Sequence, residues 1–265
     1  METNLQLPQW LDNLIFNDLG AKYCRSNADM TVIDWDKKDV LNYLGTYFPR
    51  SYTESYCIFS EFFKTHPAQF AGKTELSIFD FGCGTGGEII GLQKAISELL
   101  PHVNTIKVSA FDGNYHALRL LEMISEKANE QERVKLNVKV IPLTVEDFYD
   151  LSVLESVTRD GFDVFMTFKA ICEFVTKERF EHDNAYRHII NTFLPKVNAN
   201  GILLLVDVTT YNNASQEWLP RMMDAGLSGV THRAIISNNG YNQAFHVNHS
   251  RQAMDKSKIA WRIIL

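Results

Sequence analysis

The sequence predicts an α/β protein: a mostly parallel sheet with antiparallel C-terminal strands, flanked by helices and preceded by an N-terminal helical extension. Three observations carry this expectation. The stretch LSIFDFGCGTGGEI, Leu76–Ile89, reads as strand, tight turn and helix, with Gly82, Gly84, Gly86 and Gly87 at the turn. Beyond it, apolar strand-like runs alternate with helical patterns, as parallel strands joined by crossover helices require. Close to the C-terminus, short apolar runs follow one another with no helix between them, which calls for antiparallel pairing.

Taken in order, residues 1–72 read as a helical extension or lid, and residues 73–265 as the main domain. Leu11, Leu14, Ile15 and Leu19 fall at helical spacing, a second segment starts at Asp36, and no strand is compelling in this region. Ser51-Tyr52-Thr53-Glu54 has the form of a capping box directly after Pro49-Arg50. Tyr52, Tyr56, Phe59 and Phe63 then line one helical face. That stripe serves either as packing or, with Arg50, as a lid over a ligand at the glycine turn. Strands are expected at 76–81, 106–111, 134–143, 162–168 and 202–208, the last entered through a turn at Asn200-Gly201. A helix from Trp218 to Ala225 should close on Gly226. Residues 234–237 and 244–247 read as a hairpin around Asn239-Gly240, before a last strand at 259–265.

Composition narrows the class. With 26 Lys and Arg against 32 Asp and Glu the net charge is −6, so there is no overall attraction to nucleic-acid backbones or anionic membranes. Cys24, Cys57, Cys83 and Cys172 are widely separated and form no Cys-x-x-Cys pair, which suggests reduced thiols and a cytoplasmic protein with neither disulfide framework nor zinc site. No apolar run approaches the ~18 residues of a membrane span, so no membrane partner is expected.

Gly82-x-Gly84-x-x-Gly87 also satisfies the dinucleotide fingerprint, so the glycines alone do not choose a cofactor. The acids do. A dinucleotide site wants its ribose-binding acid about 20 residues beyond the glycines, whereas Asp112 lies 28 after Gly84 at the end of the next strand. Asp80 precedes the first glycine, and Glu146-Asp147 follow the third strand. Each sits at a strand's carboxyl edge, where open α/β sheets bind ligands. Asp80-Phe81-Gly82-Cys83-Gly84-Thr85-Gly86 resembles the first motif of the class I S-adenosylmethionine-dependent methyltransferases, acid-x-Gly-x-Gly-x-Gly, and the likeness extends over about residues 76–265. It implies the Rossmann-like methyltransferase sheet with S-adenosyl-L-methionine as cofactor. Asp80 would lie near the methionine ammonium, with Gly82, Gly84 and Gly86 forming the turn. Asp112 would hold the ribose hydroxyls, Asp147 would meet the adenine amino group, with Glu146 also among the cofactor-binding residues, and Phe148 or Phe168 an adenine face. The bland alternative is that these acids only cap helices.

The acceptor is poorly encoded, because methyl transfer needs alignment and only sometimes a base. Met166–Phe174 has no Asn-Pro-Pro-Tyr motif and the chain has no Pro-Cys nucleophile. Lys169 and Glu173 are candidate acceptor-orienting or basic groups, or an ordinary i,i+4 helical pair. Asp207, Thr209, Thr210, Tyr211, Asn212 and Asn213 form a polar loop after the fifth strand. His246 is a third candidate base, although base rates favour surface positions for His246 and His249, and a paired metal site is not expected. The reading is a methyltransferase acting on a small molecule or peptide side chain. The alternatives are an RNA methyltransferase or ribosome-assembly factor, disfavoured by the acidic charge, and a binding protein that keeps the cofactor but not catalysis. Oligomeric state is not encoded legibly.

Overall fold

The computed structural model describes residues 3–24, 36–158, 161–175, 183–213, 215–229, 234–237 and 242–265. The chain begins with β1 (Thr3–Gln6), α1 (Gln9–Asn13) with a π-helical turn at Leu14–Asp18, and the long α2 (Lys37–Thr65). The alternating section runs β2 (Glu75–Phe81), α3 (Gly87–Leu99), β3 (Thr105–Asp112), α4 (Tyr115–Gln131), β4 (Lys135–Pro142), α5 (Ser152–Val157) and β5 (Phe162–Phe168). It continues through α6 (Ile171–Phe174), α7 (Ala185–Phe193), β6 (Val197–Val208), β7 (Tyr211–Asn212), β8 (Glu217–Trp218) and α8 (Leu219–Leu227). β9 (Ile235–Ser237), β10 (Gln243–His249) and β11 (Gln252–Ile264) complete it. Among the described residues nine strands form one sheet, mostly parallel with antiparallel C-terminal strands, and helices flank it. By contact the chain divides into two compact units.

The first unit holds Met1–Leu76, Cys83–Thr144 and Ala244–Ser257. In it β3 and β4 pair in parallel from Thr105↔Lys135 to Asp112↔Pro142. β1 pairs in parallel with β10, Thr3↔Phe245 through Gln6↔Asn248, so the N-terminal region contains a strand where only helices were expected. Four residues of β1 are too few for a legible alternation; the partner, not local propensity, makes them a strand. α2 corrects a second expectation. Its N-cap is Asp36, whose carboxylate accepts from the amides of Lys38 (2.8 Å) and Asp39 (2.9 Å), and the helix runs without a break to Thr65. Pro49 lies inside it, so Ser51 is a mid-helix residue rather than a cap. α2 crosses α3 where that helix is bare: a Cβ on Gly87 would meet the Phe48 carbonyl oxygen at 2.6 Å, and one on Gly91 would meet the Tyr52 carbonyl oxygen. Ser55 Oγ donates to the Glu88 carbonyl at 2.7 Å across the same contact.

The second unit holds Ser77–Gly82, Val145–Gln243 and Lys258–Leu265. β2 pairs with β5 and β5 with β6, all parallel, and β11 runs antiparallel to β6 from Ile259↔Val208 to Ile264↔Leu203. β9 also pairs antiparallel with β11, not with β10. The predicted hairpin therefore connects the wrong strands, and its Asn239-Gly240 turn lies outside the described residues. Asn200-Gly201 is inside β6 rather than a turn before it. A Cβ on Gly201 would come within 2.8–2.9 Å of the Asp163 and Phe162 carbonyls, so glycine there permits close strand approach at an irregularity in the β5–β6 register. Gly226 is likewise helical, not a cap: a Cβ there would lie 2.9 Å from the Arg187 amide nitrogen, and α8 closes on Ser228. Phe79, Phe165 and Phe193 stack in this unit's core, with ring centroids 4.6–5.6 Å apart.

Candidate functional site

In the first unit the glycine turn closes through the Gly86 amide on the Cys83 carbonyl (2.8 Å), and the Cys83 amide ties it to the Phe111 carbonyl (2.9 Å). Gly86 caps α3 at φ 77° and Gly84 has φ 49°, conformations that side chains resist. Gly84 donates its amide to Asp112 Oδ2 at 2.8 Å, and the Asn114 amide donates to Oδ1 at 2.7 Å. Asn114 Oδ1 in turn caps α4 by accepting from the Ala117 amide (3.0 Å). Asp112 is thus not itself the cap that the bland reading made it. Burial pushes its pKa up, opposed by the two amides that favour the carboxylate. A carboxylate has about four acceptor positions, so two occupied amide bonds leave room for a pair of hydroxyls.

Each glycine of the turn has a protein neighbour. A Cβ on Gly84 would lie 3.0 Å from the Tyr43 hydroxyl, and one on Gly86 would strike Leu121. The α2 residues expected over the ligand lie elsewhere. Tyr52 is buried and stacks near-parallel with Tyr56, and both backbones face Gly91 of α3, while the Tyr56 hydroxyl donates to Glu98 at 2.7 Å. Burial raises the pKa of Tyr56 to about 12. Arg50 binds Asp255 through two bonds, Nε to Oδ2 at 2.9 Å and Nη2 to Oδ1 at 2.7 Å. His246 and His249 are both buried, against the surface expectation, because β1 covers β10 and Phe16 stacks on the His249 ring at 5.0 Å. His246 Nδ1 has no hydrogen-bond partner among the described residues.

In the second unit Asp80 is fully buried at the end of β2, level with Met166 of β5. Gly82 has φ 73°, and a Cβ on it would strike Ala170. Lys169 is the notable backbone here: it follows β5 with φ 56°, a left-handed conformation unusual outside glycine, and its amide donates to the Val206 carbonyl (2.8 Å). Since α6 starts only at Ile171, Lys169 and Glu173 are not an i,i+4 helical pair. Glu173 is exposed, with its amide on the Ala170 carbonyl. Behind them Asp207 is buried and accepts from the Tyr186 hydroxyl (2.9 Å), the Cys172 amide (3.0 Å) and the Val208 amide (2.8 Å). Burial raises the Asp207 pKa, and burial with Asp207 beside it pushes the Cys172 thiol well up, so Cys172 is no thiolate nucleophile.

Glu146 and Asp147 are exposed after β4, and Asp147 Oδ1 accepts from the Tyr149 amide (2.9 Å) in a local turn. Phe148 is fully buried, with Phe174 stacked on it at 4.8 Å. Phe168 is buried at the end of β5. Sequence reasoning missed Tyr43 and the Tyr186–Asp207 bond; α2's unbroken course places the first, and no local motif marks the second.

No family model and no curated protein matches the chain. Solved structures do. An O-methyltransferase family protein from Burkholderia thailandensis aligns over 97% of this chain and 68% of its own, with TM-score 0.53 and 13% identity. A DszA carbon methyltransferase aligns over 87% of this chain with TM-score 0.50 and 14% identity. The chain has the class I methyltransferase fold. This chain spans 60% of the carbon methyltransferase. Among the described residues no helix is long and apolar enough to cross a membrane.

Proposed function

We propose that the chain is an S-adenosylmethionine-dependent methyltransferase whose acceptor is a small molecule or a peptide side chain. The observation that carries this reading is the hydrogen bond from the Gly84 amide to the Asp112 carboxylate. It ties the glycine turn to a buried acid at the end of the next strand, and that acid keeps acceptor capacity for two ribose hydroxyls. When bound, the cofactor supplies an already activated methyl group. Asp80 would face its ammonium, Asp147 its adenine amino group with Glu146 beside it, and Phe148 or Phe168 an adenine face, with Gly82, Gly84 and Gly86 allowing close approach. Carboxylates suit a ligand that carries a sulfonium and an ammonium.

At the acceptor side, the left-handed Lys169 backbone fixes the course of the loop after β5, and the buried Asp207 anchors it through the Cys172 amide. Lys169 and Glu173 are proposed to orient the acceptor, and His246 to take a proton where the acceptor must lose one. We read the protein as cytoplasmic, with no membrane partner and with nucleic acid disfavoured as acceptor. Supplying methyl-labelled S-adenosylmethionine with fractionated cell extract checks the acceptor class. Label in small molecules or peptides is expected, and label in RNA would contradict the acceptor assignment.

A further inference from the structure

Among the described residues β4 is the last strand at its end of the sheet, and its outer edge is only partly closed. Lys135 donates its amide inward to the Asn104 carbonyl (2.9 Å). By the alternation of a strand, Lys135, Asn137 and Lys139 therefore turn their backbone groups to β3, while Leu136, Val138, Val140 and Pro142 turn theirs outward. At Leu136 the outward groups are taken by the Asn129 side chain, which accepts from the Leu136 amide (2.6 Å) and donates to its carbonyl (2.9 Å), as a neighbouring strand would. Pro142 has no amide to offer. Natural sheet edges are blunted against pairing. This one is blunted at both ends, and between them the outward groups of Val138 and Val140 meet no strand.

Beside the opening, between α4 and β4, lies a cavity of about 280 Å³ whose lining includes the exposed Met123, Ser125, Leu136 and Val138. Ser125 is buried, and its Oγ has no hydrogen-bond partner among the described residues. On the other face of the strand Lys139 is exposed and makes no ion pair among the described residues. We propose that this opening docks an extended segment of a partner protein, which adds to β4 as a further strand with apolar residues opposite Val138 and Val140 and an acid between them. Backbone bonds supply the attachment and alternate side chains the choice of partner. The two apolar residues face α4 and the cavity, and the acid meets Lys139 across the strands. A second copy of the chain does not suit the opening. Antiparallel pairing of this stretch with itself sets Val138 against Val140 and Lys139 against Lys139, and like charges directly opposite destabilise a pair. All of these residues belong to the first unit, and the site does not depend on the identity of the methyl donor.

The test titrates the isotope-labelled full chain with two end-capped peptides, Ser-Leu-Glu-Val-Ser and Ser-Leu-Lys-Val-Ser, and follows its amide resonances. The first peptide should shift the Val138 and Val140 amides and bind about threefold or more tighter than the second. Lys139→Glu, a surface change, should reverse that order. Val138→Pro removes one outward amide and leaves the bonds to β3 in place, so it should abolish the shift at Val140, with its melting midpoint as the check on folding. No shift at either amide with the first peptide at up to about 5 mM overturns the proposal. Equal affinity for the two peptides, or an order that Lys139→Glu leaves unchanged, overturns the acidic partner. A dimer in sedimentation that Val138→Pro dissociates would give the edge to a second copy and overturn it as well.

Discussion

Asp255 shows how a single residue joins distant parts of the chain. It accepts from Arg50 of α2 and from the Tyr23 hydroxyl at 3.1 Å, and His249 Nε2 lies 3.7 Å away. Burial alone would raise its pKa, but His249, Arg50 and Tyr23 outweigh burial and bring it down from 3.8 to about 2. A depressed folded-state pKa means stability that is present above the unfolded value and lost as pH falls through the folded one. The cluster's contribution should therefore be full above 3.8 and fade as pH drops toward 2. Asp255→Asn keeps the shape and removes the charge, leaving Arg50 largely buried without its counter-ion, which costs about 3 kcal/mol in a denaturant titration near neutral pH. The gap between the two proteins should narrow in acid, and a gap independent of pH would contradict the ion-pair account. None of this was legible in sequence, because Tyr23, Arg50 and Asp255 share no local pattern; their meeting depends on the course of α2 and the β10–β11 turn.

At the scale of elements, the α2–α3 contact is the one that sets where the glycine turn meets the extension. Gly87 and Gly91, four residues apart, clear one stripe of α3 for the α2 backbone. Gly91→Ala isolates this effect. Helix propensity alone would favour Ala by up to about 1 kcal/mol, but the new Cβ would press on the Tyr52 carbonyl and lie 3.0 Å from the Tyr56 amide nitrogen. Overpacking of this kind costs about 1–3 kcal/mol, so the melting midpoint should fall; a rise would mean that the helices do not pack this closely. The same elements show which signals sequence carries. Strands β2 to β6 and the long helices between them read correctly because β2, β5 and β6 are largely apolar runs, β3 and β4 alternate, and the helices are periodic, whereas α5, α6, β7 and β8 are too short to leave such a signal. The failures have local causes. Pro49-Arg50-Ser51 imitates a helix start inside α2, Gly201 and Gly226 serve close packing rather than turns, and β1 and β9 are too short to identify without their partners.

For the whole molecule, the class I methyltransferase fold agrees with the motif at Asp80–Gly86 and with the antiparallel C-terminal strands, and each follows from a separate stretch of sequence. The glycines are the weakest of the site signals: Gly82, Gly84, Gly86 and Gly87 each have a protein atom 3.0 Å or less from where a Cβ would sit, whatever ligand the turn holds. Asp112 is more telling, since a buried carboxylate bound by two backbone amides has capacity beyond its structural bonds. That makes the identity of the nucleotide-like ligand the central claim. Calorimetry of the full chain with S-adenosylmethionine, S-adenosylhomocysteine and NAD tests it most directly. The account predicts that the two sulfur nucleosides bind, that NAD does not, and that Asp112→Ala weakens S-adenosylhomocysteine by about tenfold, or about 1.4 kcal/mol. Binding of NAD with neither sulfur nucleoside bound would contradict it.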